Sequence, residues 1–167
     1  MTVWCAFSAA GVIGPYFFKN ENGQRVTVNG NRYRNMIVNY FYQKIGDTDM
    51  VNMWSQQDGV TCHTAAETIN LLRTKFGDAI ISKNGPVNWP PRSCDLTPLD
   101  FFLWGYIKSV VYVNKPDSTE SLKANIVHAI DKISPELCEK VSKNWVDRIH
   151  FVQRSRGEHL NDIIFKY

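Results

Sequence analysis

Asn88-Trp89-Pro90-Pro91-Arg92-Ser93-Cys94-Asp95-Leu96-Thr97-Pro98-Leu99-Asp100-Phe101-Phe102-Leu103-Trp104-Gly105 is the stretch on which the reading of the fold turns. Its first half cannot continue a helix or a strand. Pro90 and Pro91 lack backbone donors and, with Gly85 and Pro86 upstream, they make Lys83 to Asp95 a stiff, irregular loop. The second half is a helix start, with Thr97 ahead of Pro98 at the first helical position and Asp100 at the third. Phe101, Phe102, Leu103, Trp104, Tyr106 and Ile107 then make that helix apolar nearly all round, as in a helix buried in a domain. Asp95 therefore stands at the junction of loop and buried helix.

Upstream, Met50 to Gln57 reads as a strand ending at Asp58, where Gly59 frees the backbone for a sharp exit. Thr64 and Glu67 have the spacing of a capping box; Ile69, Leu71, Leu72 and Phe76 form the next helix's apolar side, closed by Gly77. Ala79 to Ser82 is a short strand. Val3 to Phe7 and Gly11 to Phe18 are rich in β-branched and aromatic residues and read as a hairpin. Between Asn31 and Lys44, the positions of Tyr33, Met36, Ile37, Tyr40 and Phe41 give a helix with one buried face that ends near Gly46. Two amphipathic helices close the chain. The first turns Leu122, Ile126, Ile130 and Ile133 inward, and the second opens at Ser134-Pro135 and turns Cys138, Val141, Trp145, Ile149 and Val152 inward.

The 167 residues suit one domain, and 44% hydrophobic residues are enough to build a core. A net charge of +3 permits a nucleic-acid partner but is too small to argue for one. No apolar run approaches the roughly 20 residues that span a bilayer, and the first residues lack signal-peptide character, so no membrane partner is expected. Cys5, Cys62, Cys94 and Cys138 form no Cys-x-x-Cys pair and read as reduced structural thiols.

This alternation is a mixed α/β pattern that puts Asp58 and Asp95 where sites form, near strand ends and helix starts. Two carboxylates brought together repel, and a bound cation relieves the repulsion; oxygen ligands favour magnesium or manganese over zinc. An Asp beside Gly is also the usual turn former, and an Asp just before a helix the usual cap. Spacing alone leaves both readings open.

Ser55-Gln56-Gln57-Asp58-Gly59-Val60-Thr61-Cys62-His63 resembles the second-acid motif of mariner-family transposases, and the Asn88 to Gly105 stretch resembles their third-acid motif. The 36 residues between Asp58 and Asp95 are close to the interval that family keeps. Gly11-Val12-Ile13-Gly14-Pro15-Tyr16-Phe17-Phe18 and Arg156 to Phe165 are also similar to insect-type members, so the resemblance covers essentially the whole chain. It implies a ribonuclease-H-like mixed sheet flanked by helices, with Asp58 and Asp95 as the second and third metal-binding acids and Mg2+ or Mn2+ as the ion. It also implies DNA as partner, nuclear placement, and cut-and-paste transposition as the activity of the intact family.

For His63 the resemblance implies a positioning or phosphate-contacting role, and a cap on the helix after it is the alternative. Arg92 reads as a phosphate contact or a solvated loop residue, and Trp89 as packing. Lys140, Lys143, Arg148, Arg154 and Arg156 form a basic cluster that could track a phosphate backbone, or a solvated face shared with Glu136, Glu139 and Asp147.

Family members place their first acid on a strand ahead of the opening hairpin and carry helix-turn-helix modules farther upstream. Here no acid precedes Glu21. The expectation is a partial catalytic domain over residues 1–167 that lacks the first catalytic strand and the N-terminal DNA-binding domain. Such a chain would hold metal weakly and be inactive alone. The alternative is a non-catalytic protein that binds DNA, a second copy of itself or an intact transposase.

Overall fold

The computed structural model describes residues 1–46, 52–90 and 93–156. The chain forms two compact units, the first made of Met1–Val3 with Phe17–Ser93 and the second of Trp4–Tyr16 with the chain from Cys94 onward. Among the described residues no helix is long and apolar enough to cross a membrane.

In the first unit a helical run comprises α1 (Gly30–Met36), a π-helical turn (Ile37–Phe41) and α2 (Tyr42–Ile45). Asn29 caps its start by accepting from the Arg32 N–H, and Gly46 ends it at φ 55, a conformation that favours glycine. The π turn, which sequence periodicity did not anticipate, shifts the buried face. Tyr33, Met36, Ile37 and Ile45 are buried while Tyr40 and Phe41 are half-buried. Across from this run lies α4 (Ala66–Phe76), whose Ile69, Leu72 and Phe76 fill the core, with Phe41 stacked on Phe76 at 6.3 Å. Tyr42 donates its hydroxyl to the Leu71 carbonyl at 2.9 Å.

Strands β3 (Ser55–Gln56) and β4 (Ile80–Ile81) pair in parallel, Ser55 opposite Ile80 and Gln56 opposite Ile81. Parallel neighbours need a crossover, and here it is the short helix α3 (Thr61–Thr64) followed by α4. The expected strand from Met50 is therefore shorter, and Met50 and Val51 lie outside the described residues. The expected capping box does not form. Thr64 is the last residue of α3, with its N–H bonded to the Val60 carbonyl, and α4 starts after Ala65 without a side-chain cap.

Strands β1 (Val3–Ser8) and β2 (Gly11–Phe17) form the expected hairpin, whose residues 4–16 belong to the second unit. Gly14 is required there: at φ +133, a Cβ would stand 3.0 Å from both Cys5 Sγ and the Trp4 carbonyl oxygen. Phe7 meets Phe102 edge-on at 6.0 Å. Cys94–Leu96 is a single 3-10 turn, Leu99–Leu103 a π turn, and α5 (Trp104–Val111) follows. Then come α6 (Thr119–Asp131), capped by Ser118, and α7 (Pro135–Arg154), capped by Ser134 with Pro135 in its first turn. Leu103, Ile107, Val111, Ile126, Ile130, Cys138 and Val141 form the core, while α5 leaves Gly105, Lys108, Ser109 and Val110 exposed. That helix is one-sided, not apolar all round.

Candidate active site

Asp58 belongs to the first unit and Asp95 to the second. The Gln57 N–H bonds to the Ile81 carbonyl at 2.9 Å, so Asp58 emerges just past the carboxyl end of β3, where ligand sites of parallel sheets lie. Its Oδ1 is held twice, by His63 Nδ1 at 2.5 Å and by the Val60 N–H at 3.1 Å. Among the described residues Oδ2 has no hydrogen-bond partner. Partial burial pushes the carboxyl pKa up, but the His63 hydrogen bond and charge, with the Val60 amide, outweigh it and hold Asp58 below its ordinary value.

His63 is itself fixed. Its ring tilts over Tyr33 at 4.4 Å, the Tyr33 hydroxyl donates to Gln57 Oε1 at 2.7 Å, and Gln57 Nε2 donates to the His63 carbonyl at 3.5 Å. His63 lies in the last turn of α3 with Nδ1 on Asp58 Oδ1, and α4 starts without a side-chain cap. Gln56 Nε2 on the same strand is buried with no partner among the described residues, at about 1–3 kcal/mol if left dry.

Asp95 sits half-buried in the Cys94–Leu96 turn. The Thr97 N–H bonds to the Cys94 carbonyl at 3.1 Å, and the Cys94 thiol lies 3.7 Å from Asp95 Oδ1. Asp100 stands exposed in the first turn of the helix that follows. Among the described residues no group of three or more His, Cys, Asp or Glu comes together to hold a metal.

Of the expected basic cluster, Lys140, Lys143, Arg154 and Arg156 are exposed, with Lys143 paired to Glu139 at 2.8 Å. Arg148 does not belong with them. It is 3% exposed, donates through Nη1 to the Asp95 carbonyl at 2.6 Å, and lies over the Phe101 ring at 4.1 Å. The sequence held the signal: Cys138, Val141, Trp145 and Arg148 are spaced three, four and three apart, so the arginine falls on the inward stripe. Trp89 is buried as packing, and all four cysteines are free thiols. Arg92 lies outside the described residues.

A helical crossover between parallel strands, with a carboxylate at the strand end, is an arrangement of α/β proteins, in which ligand sites fall at the carboxyl edge of the sheet. Solved structures narrow the class. The Mos1 transposase catalytic domain with raltegravir and Mg matches 95% of this chain and 75% of its own at TM-score 0.75 and 21% identity. The Mos1 mariner paired end complex with Mn matches 95% of this chain and 44% of its own at TM-score 0.76 and 21% identity. The fold is thus the ribonuclease-H-like fold of a mariner transposase catalytic domain. In sequence, the transposable element Tc3 transposase of Caenorhabditis elegans is 26% identical over 161 residues, covering 95% of this chain. The chain spans about half of that relative, 45% of its length. No protein-family model matches. In sequence the chain is thus similar to a transposable-element transposase, and in fold to the mariner transposase catalytic domain.

Proposed function

We propose that the chain is the metal-dependent DNA-cleaving part of a cut-and-paste transposase, with Asp58 and Asp95 as metal ligands. The observation that carries this reading is the Asp58 carboxylate, held through one oxygen at the end of β3 in a fold whose solved Mos1 representatives contain Mg or Mn. Carboxylate oxygens suit such hard cations, and Oδ2 is the atom Asp58 has to offer. Bound ions of this kind activate an attacking water or hydroxyl and stabilise the leaving oxygen of a phosphodiester. His63 and the Val60 amide fix the carboxylate beforehand, so less ordering is needed when a cation arrives.

A carboxylate with few companion ligands holds a divalent ion weakly, so strand transfer without further ligands is not expected. DNA is the proposed partner, met through phosphates by Lys140, Arg154 and Arg156, with association to a second copy or an intact transposase and a nuclear setting following from the same reading. Mn2+ titration of the chain beside Asp58→Ala and Asp95→Ala tests the ligands. Each variant is expected to bind at least about ten-fold more weakly, and unchanged binding in both sinks the reading. Strand transfer by the chain alone would overturn its dependence on further ligands.

A second reading, DNA binding without cutting, is favoured by the exposed cations along α7. It predicts plasmid retention that falls steeply with salt and survives Asp58→Ala.

A further inference from the structure

The turn that carries Asp95 is tied to α7 by two hydrogen bonds. It is one 3-10 turn closed by the Thr97 N–H, and the next residue, Pro98, has no N–H to offer the Asp95 carbonyl. Both carbonyls are met from α7. Trp145 Nε1 donates to the Leu96 oxygen at 2.7 Å, and Arg148 Nη1 donates to the Asp95 oxygen at 2.6 Å. Three residues apart, the two donors share one helix face.

Arg148 is built in as a strut. One turn back, Asn144 Oδ1 accepts from its Nε at 3.0 Å, and the guanidinium plane covers Phe101, which belongs to the helix leading away from Asp95. A planar fork with several fixed donors suits this task; a lysine offers a point charge on a flexible stem.

We propose that Arg148 and Trp145 are positioning residues for Asp95. They hold its turn from behind by two consecutive main-chain oxygens, so that the carboxylate meets a divalent cation already placed. The proposal rests on the reading of Asp95 as a metal ligand.

The test measures Mn2+ binding to the full chain, by loss of the free-ion EPR signal, in Arg148→Met, Arg148→Lys, Trp145→Phe and Asp95→Ala. Thermal unfolding and hydrogen exchange at the Thr97 amide are recorded alongside. Asp95→Ala is expected to lose binding, Arg148→Met to bind on the order of ten-fold more weakly, Arg148→Lys to recover part of that, and Trp145→Phe to lose a few-fold. The Thr97 amide exchanges faster in the Arg148 and Trp145 variants, and the affinity loss is out of proportion to any change in melting.

If Asp95→Ala binds like the parent, the ligand reading is refuted. If Asp95→Ala loses binding while Arg148→Met and Trp145→Phe bind as tightly as the parent, the positioning proposal is refuted and the ligand reading stands. If Arg148→Met does not fold, Trp145→Phe decides, since it removes the donor while keeping an aromatic side chain at the position.

Discussion

In the first unit the protein grips an acid by its carboxylate; in the second it grips one by its backbone. Asp58 has one carboxylate oxygen taken by His63 and Val60, whereas the Asp95 residue is located by Arg148 on its carbonyl and Trp145 on the next. The first arrangement alters the chemistry of the acid, holding its proton affinity below the ordinary value. The second fixes where the residue sits without itself occupying a carboxylate oxygen. An account of either acid that stopped at its side chain would describe Asp58 well and miss what locates Asp95.

Arg148→Met should have the largest effect. It leaves the Asp95 carbonyl and Asn144 without their donor and is expected to destabilise the protein by about 2–4 kcal/mol in urea unfolding. A loss below ~1 kcal/mol would mean that the turn stands without its strut. Trp145→Phe removes one hydrogen bond and part of the ring, and should lower stability by about 1–2 kcal/mol.

His63→Ala should have its main effect elsewhere, on Asp58 itself. With the histidine gone, partial burial is opposed only by the Val60 amide, so the Asp58 carboxyl pKa rises, as carbon-13 NMR titration would show. The sign for stability follows from the depressed folded value in the parent. The contribution of Asp58 is present above the ordinary carboxyl pKa and is lost as pH falls through the lower folded value. In His63→Ala acid unfolding therefore begins at higher pH, and an unmoved acid limb would separate the histidine from the hold on Asp58.

The smallest effect concerns the thiols beside the two acids. Burial and the Asp58 charge push Cys62 up, whereas Cys94 is exposed, so alkylation should reach Cys94 first. Cys5, with its thiol pushed up to about 12, should resist throughout.

The first grip was nearly legible in the sequence. Asp58 with Gly59 behind a strand pattern, and His63 five residues on, are local facts, and a local loop brings them together. The second grip joins residues 53 apart, and an arginine among Lys140, Lys143, Glu139 and Asp147 looks like part of a solvated face until its place in the inward stripe is counted. The capping box failed for a related reason. Thr64 has the right neighbours, but the chain uses it to finish one short helix before starting the next.

Among the described residues each unit contains one π turn, Ile37–Phe41 and Leu99–Leu103, closed by an N–H reaching five residues back. Such a turn holds one residue more than an α-helical turn of the same span. Each unit therefore stores slack. A deletion within Ile37–Phe41 has a regular α-helix ready to receive it, with the flanking turns still in phase, whereas the same deletion inside α4 would rotate everything after it by about 100° and turn Phe76 out of the core. Single deletions should be tolerated at the first kind of place and purged at the second, so this chain can shorten most readily where its helices are least regular.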